Sequence, residues 1–140
     1  MIRSFLFLLF LTIYFSGFSQ SAINIIPQPE SVIPGKGVYT YGKNTRIYAS
    51  KSFLAAAHML AETMKIPVKH VLNWHKGMTV PAGSVVFEKT TGRPEDSSAY
   101  QITINPSGIR ISSTGYTGAL YAMQSITQLV LTNHQSNEIP

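Results

Sequence analysis

The chain has 140 residues, with 11 Lys and Arg against six Asp and Glu, which gives a formal net charge of +5. Only 12% of the residues are charged, against roughly a quarter in an average soluble domain, and a (β/α)₈ barrel, which needs roughly 250 residues, does not fit. Because the chain has no cysteine, disulfides, thiolate nucleophiles and cysteine-ligated zinc are excluded.

The first 20 residues have the pattern of a secretory leader. One basic residue precedes an apolar run from Phe5 to Phe15, and Gly17-Phe18-Ser19 offers a small-x-small cleavage site. The run is short for a membrane span, which takes about 20 apolar residues. We predict a signal peptide over residues 1–19 and a mature domain over residues 20–140, located in the periplasm or outside the cell. An uncleaved membrane anchor is the alternative.

The first third of the mature chain is predicted to be extended. Ile23–Ile26 is β-prone and stops at Pro27-Gln28-Pro29, where two residues have no N–H to donate. Turn residues then separate two further predicted strands, Val38–Tyr41 and Arg46–Ala49, which are rich in β-branched and aromatic residues.

A first amphipathic helix is predicted over Ser52–Ile66. Its apolar residues recur at the spacing of one helical face. Ser50 or Ser52 is the candidate cap, and Pro67 is expected to end the helix because the residue before a proline avoids the α region.

The middle of the chain alternates short apolar runs with loops. Val68–Leu72 is a candidate short strand, Val85–Phe87 is a compact apolar strand, and Glu88–Ser98 is rich in turn residues and is predicted to be an exposed loop. Trp74 and His75 lie in a polar loop between the two strands.

The last third carries the clearest patterns. Tyr100–Ile104 and Ile109–Ser112 alternate apolar and polar residues around Asn105-Pro106-Ser107-Gly108, which predicts a β-hairpin. A second amphipathic helix follows over Gly118–Leu131, with Thr117 as a candidate cap. These elements predict an α+β fold: a single mixed, mostly antiparallel sheet with both helices packed on one face.

The residues themselves predict no catalytic, cofactor-binding or metal-binding site. The histidines are not spaced as metal ligands on a helix; they are His58, His70, His75 and His134. Glycoside hydrolysis needs two acids across a cleft, whereas Glu95 and Asp96 adjoin in a predicted Gly/Pro loop that offers no rigid mounting. The basic residues are scattered, so we expect no nucleic-acid partner. Trp74 is a candidate sugar-stacking residue, against a packing role.

Three segments together resemble the N-terminal domain of family 20 glycoside hydrolases, the β-N-acetylhexosaminidases. Ile25-Ile26-Pro27-Gln28-Pro29 is similar to the start of that domain, and Ala99–Ile104 with Gly108–Ile111 is similar to its late hairpin. Gly118–Leu129, with a Gly-x-x-Tyr-x-x-Gln core, resembles its last helix, and Ile139-Pro140 resembles the short link that leads into the barrel. A similar domain precedes the barrels of family 84, and the proline-rich start favours family 20.

The resemblance implies a small α/β domain that is not itself catalytic. In this family an adjacent Asp-Glu pair in the following barrel assists attack by the substrate's own acetamido oxygen. No position here matches that pair, since Glu95-Asp96 has the reverse order. The resemblance therefore implies a domain that needs no cofactor and whose partner is the family's catalytic barrel.

Three functions remain open at this point. The chain is interpreted first as the non-catalytic accessory domain of an exported β-N-acetylhexosaminidase, a fragment without its barrel that has a structural role. The alternatives are a stand-alone extracytoplasmic module that binds N-acetylglucosamine-containing glycans through Trp74, and a degenerate remnant without activity. After leader cleavage, no membrane partner is expected.

Overall fold

A computed structural model describes residues 25–92, 97–133 and 136–140. The predicted leader and the first two residues of the predicted strand Ile23–Ile26 lie outside the described residues. So do Glu95, Asp96 and His134. Neither helix in the described part of the chain has the length and apolarity needed to cross a membrane.

The described chain contains seven strands and two α-helices. In chain order these are β1 (Tyr39–Thr40), β2 (Ile47–Ala49), α1 (Leu54–Thr63), β3 (Val71–Asn73), β4 (Ser84–Lys89), β5 (Tyr100–Asn105), β6 (Gly108–Ser113), α2 (Tyr116–Thr132) and β7 (Glu138–Ile139). Short 3₁₀ turns at Lys51–Phe53 and Val68–His70 precede α1 and β3.

Five strands form a mixed sheet in the order β3-β2-β4-β6-β5, and β1 pairs separately with β7. The α+β class, the mixed sheet and the hairpin β5–β6 are confirmed. The expectation of a single, mostly antiparallel sheet is wrong. In the described chain β1 and β7 form a second sheet, and within the five-stranded sheet β2–β3, β2–β4 and β4–β6 are parallel and only β5–β6 is antiparallel. Apolar alternation predicts a strand, but it does not encode strand direction.

Two crossover connections join the parallel strands β2, β3 and β4, and they run across the sheet in opposite directions. Helix α1 connects β2 to β3, and residues 74–83 connect β3 to β4 on the other side of β2. Crossovers between parallel strands are almost always right-handed. Two of them that move in opposite directions therefore run over opposite faces of the sheet. This accounts for the burial of Tyr48 and Val86, which are 4% and 3% exposed on the face opposite the helices.

The core lies between the sheet and the two helices. It joins alternate residues of β2, β4 and β6 to buried positions on both helices, which confirms that the helices share one face. Its largest fully buried side chains include Phe53, Phe87, Ile47, Leu60, Ile111 and Ile126.

Helix α1 is shorter than the sequence predicts, for reasons at both ends. Ser50 does not cap it, since the Ser50 Oγ lies 3.4 Å from the Phe87 O and accepts from the Lys89 N at 3.2 Å, which ties β2 to β4. At the other end Lys65 has a φ of 54°. Lys65 N donates to Glu62 O and Ile66 N donates to Ala61 O. This is a Schellman ending, and it stops the helix before Pro67 restricts it.

Lys65→Gly is expected to stabilise the protein by about 0.5–1 kcal/mol, because glycine adopts the left-handed conformation without a Cβ clash. Urea unfolding followed by circular dichroism measures the change. The matched control is Lys51→Gly, an exposed residue of the 3₁₀ turn with no left-handed φ, which should not be stabilised. A less stable Lys65→Gly variant would contradict this ending of α1.

Other boundaries differ modestly from expectation. Val68–Leu72 is a 3₁₀ turn followed by β3, and β4 runs on through Glu88 and Lys89, which were predicted to lie in a loop. Helix α2 starts at Tyr116 after Gly115, so Thr117 is a helical residue and not the cap. Ile25 and Ile26 are not in a strand.

The β1–β7 pair joins the start of the described chain to its end. Tyr39 pairs with Ile139, both fully buried, and the Tyr41 N donates to the Asn137 O at 2.9 Å. The Tyr39 hydroxyl donates to the Gly83 O at 2.8 Å. Burial raises the pKa of Tyr39, and a smaller effect of Thr45 lowers it. Tyr39 is therefore a packing residue of the core.

Candidate functional site

Helix α2 is where the three segments that carry the family resemblance meet. The side-chain amide of Gln128 forms two hydrogen bonds with the backbone of Ile26. The Ile26 N donates to the Gln128 Oε1 at 2.9 Å, and the Gln128 Nε2 donates to the Ile26 O at 2.8 Å. One side chain thereby holds the proline-rich start of the domain against its last helix. No local spacing could predict this contact, since the two residues are 102 positions apart.

The hairpin is fastened to the beginning of α2 by a buried hydroxyl. The Ser113 Oγ, in a residue only 2% exposed, lies 2.9 Å from the Ala99 O and 2.8 Å from the Gly115 O. It also accepts from the Gly115 N at 3.3 Å. The Gly118 N donates to the Ser97 O at 3.0 Å. One backbone N–H of the first helical turn, which has no acceptor within the helix, is therefore bound by a residue outside it.

A second contact lies about two turns further along α2, at Ser125. The Ser125 hydroxyl donates to the Tyr121 O at 3.0 Å and accepts from the Tyr100 hydroxyl at 2.9 Å. Tyr100, the first residue of β5, is thus joined to the middle of the helix. The late hairpin and the last helix form one unit.

The three residues of the Gly-x-x-Tyr-x-x-Gln motif of α2 differ in burial. Gly118 is buried, and a Cβ there would lie 2.4 Å from both the Ala99 O and the Ser113 Oγ. Only glycine fits this approach without a shift. Tyr121 is 44% exposed and Gln124 is exposed, so the other two residues are directed away from the core. The domain's own packing therefore explains the glycine alone.

Among the residues that the structure describes, the histidines and carboxylates do not assemble into a site. His58 is exposed on α1, and His75 is exposed after β3. His70 is partly buried, and its Nδ1 has no hydrogen-bond partner. Glu88 forms an ion pair with Arg110 across β4 and β6. Within residues 25–92, 97–133 and 136–140, no group of three His, Asp or Glu could hold a metal ion.

Trp74 continues the ladder at the end of β3. Its backbone N donates to the Ala49 O at 2.8 Å, and its side chain is partly buried. Leu72 pairs with Tyr48, and Trp74 lies two positions beyond Leu72. By strand alternation it shares the face opposite the helices, where the connection 74–83 returns along the sheet. This position favours the packing role over an open sugar-stacking platform, and glycan contact stays a prediction.

The described architecture can be compared with known proteins. The family model for glycosyl hydrolase family 20, domain 2, matches residues 22–140. The chain belongs to glycosyl hydrolase family 20. No curated protein shows significant sequence similarity to it. The family 20 match covers all three segments that meet at α2, and it confirms the resemblance found in the sequence.

Solved structures share the fold of this family 20 domain. A β-N-acetylhexosaminidase from Bacteroides fragilis matches with a TM-score of 0.64 and 21% identity, over 84% of this chain and 23% of that one. The GH20 enzyme from Streptomyces coelicolor A3(2) matches with 0.60 and 22%, over 75% and 21%. N-acetyl-β-hexosaminidase from Streptomyces plicatus matches with 0.57 and 23%, over 76% and 21%. The chain spans about one fifth of the length of each.

Trp74→Ala is expected to lower the free energy of unfolding by about 2 kcal/mol, less than the loss at a fully buried tryptophan. Because Trp74 is the only tryptophan, its fluorescence also reports directly on sugar contact. With a packing role, titration with chitotriose leaves the emission unchanged. The control is free N-acetyltryptophanamide under the same additions. A saturable emission change specific to the protein would instead support glycan binding.

Proposed function

We propose that this chain is the non-catalytic accessory domain of an exported β-N-acetylhexosaminidase and that it supports the folding of a catalytic barrel formed by residues outside this sequence. The observation that carries the proposal is the family 20 domain 2 match over residues 22–140, together with relatives about three and a half times as long. Hydrolysis of terminal N-acetylhexosamine would belong to that barrel. The present chain would have a structural role.

The outer surface of the helices is the proposed contact with the barrel. Exposed large apolar side chains on α1 and α2 are Met59, Tyr116, Tyr121 and Leu131. No strand of the described chain carries one. The other five exposed ones among the described residues lie outside both helices, at Ile26, Val32, Ile33, Val38 and Val68. Within the helix layer, neighbouring exposed apolar side chains are typical of an interaction surface. Gln124 adds a hydrogen-bonding side chain to the same helix.

The reading frame beyond residue 140 provides the first test. We expect it to encode a barrel with an adjacent Asp-Glu pair. We expect the whole product to hydrolyse 4-nitrophenyl N-acetyl-β-glucosaminide, whereas residues 20–140 alone do not. Mass spectrometry of the exported product should find Gln20 as its first residue. A reading frame without a barrel, or turnover by residues 20–140, would overturn the proposal.

Charged substitutions test the proposed contact. In the whole product, Met59→Glu combined with Tyr121→Glu is expected to lower the melting temperature, because two carboxylates would be desolvated against the barrel. In residues 20–140 the same pair should change stability little, since both side chains are exposed there. Thr79→Glu, at an exposed position of the connection 74–83, is the matched control. Equal effects in the long and short proteins would place the contact elsewhere.

A further inference from the structure

The two edges of the five-stranded sheet differ in how they are protected. Strand β3, at one edge, has three residues and is flanked by Lys69 and His70 before it and by His75 and Lys76 after it. Short length and flanking charge are the usual devices that keep an edge from pairing with another chain. Strand β5, at the other edge, has six residues, Tyr100–Asn105, with no charge and no proline.

Strand β5 has pairing capacity that the described chain does not use. Its only neighbour in the described sheet is β6, and antiparallel alternation directs the N–H and C=O groups of every second residue away from that neighbour. On the helix side Tyr100, Ile102 and Ile104 are only partly buried although they pack against the core. A further strand at this edge would bury them more fully.

We propose that β5 pairs antiparallel with β5 of a second copy of this chain, which joins the two five-stranded sheets into one. The charge and the exposed side chains of β5 are compatible with pairing between two identical strands. Its six residues carry no charge, so pairing brings no like-charged side chains of β5 together. Its exposed side chains, on Gln101, Thr103 and Asn105, contain amide and hydroxyl groups that donate and accept. Identical side chains can therefore bind each other across a two-fold axis.

The pleat of β5 restricts where the two-fold axis of the proposed dimer can pass. Residues directly opposite each other in an antiparallel pair point to the same face, and successive residues point to opposite faces. A register that places Ile102 opposite Thr103 would therefore join the helix face of one copy to the opposite face of the other. The axis must pass through a residue, and near the middle of the strand that residue is Ile102 or Thr103.

The absence of cysteine makes cross-linking a direct test. With the axis at Thr103, Thr103→Cys faces its own copy and forms a disulfide dimer under mild oxidation. With the axis at Ile102, the double variant Gln101→Cys with Thr103→Cys cross-links instead and Thr103→Cys alone does not. Thr79→Cys, exposed outside the strands, is the control. Cross-linking no faster than this control in every variant would contradict the proposal.

Sedimentation of the exported protein, from about 1 μM to about 1 mM, measures the equilibrium, because interfaces below about 1,200 Å² usually give weak association. We expect a concentration-dependent dimer whose dissociation constant rises at least tenfold in Thr103→Lys and is unchanged in Thr79→Lys. A monomer at all concentrations overturns the proposal. This outcome would also result if another part of a longer product covered β5. A dimer indifferent to Thr103→Lys overturns it too. Neither outcome bears on catalysis by a barrel.

Discussion

Replacing Gly118 with alanine is expected to lower the free energy of unfolding by about 3 kcal/mol. A Cβ at this position would lie 2.4 Å from the Ala99 O, 2.4 Å from the Ser113 Oγ and 3.0 Å from the Ala99 C. Backbone atoms of a paired hairpin cannot move aside cheaply, and overfilling a packed site typically costs about 1–3 kcal/mol. The intrinsic preference of helices for alanine, about 1 kcal/mol, works in the opposite direction and is the smaller effect.

Gly35→Ala is the matched control for this prediction. Gly35 has no left-handed φ, and nothing lies within 4 Å of a Cβ built there. Its replacement should leave stability unchanged within about 0.5 kcal/mol or raise it slightly, because alanine restricts the unfolded chain. Urea unfolding followed by Trp74 fluorescence measures both variants. A loss below 0.5 kcal/mol in Gly118→Ala would show that the helix does not press against the Ala99 backbone.

The elements were more predictable than their arrangement. The hairpin follows from alternation around Asn105-Pro106-Ser107-Gly108, and both helices follow from apolar spacing. The parallel strands were missed, although one indication was present. Ile47-Tyr48-Ala49 and Val85-Val86-Phe87 are unbroken apolar runs, and their burial on both faces is typical of central parallel strands.

The contacts at α2 could not be predicted from the sequence alone. Gln128 binds the backbone of Ile26 and Ser113 binds the backbone of Ala99. Polar side chains that bind distant backbone have no periodicity and no fixed partner type, so only the fold locates them. The three segments that resemble the family are the ones that these contacts bring together.

Ile139→Ala is expected to lower the free energy of unfolding by about 3 kcal/mol, the middle of the range for a buried isoleucine. The family resemblance places Ile139 in a link to the barrel, but here it is fully buried in β7 and pairs with Tyr39. Losing its side chain leaves a cavity beside the Tyr39 ring, whose hydroxyl holds the Gly83 O. The end of the sequence is therefore part of the core.

Ile33→Ala supplies the control, because the same side chain is 90% exposed at that position and its loss should change stability by less than about 0.5 kcal/mol. Chemical unfolding of both variants gives the difference. Similar small losses at the two positions would mean that β7 is not held in the core. A large loss at Ile139 alone would show that β7 is fixed in the core of this domain through its pairing with β1, so the proposed barrel, if it begins after Pro140, would be attached to a rigid strand.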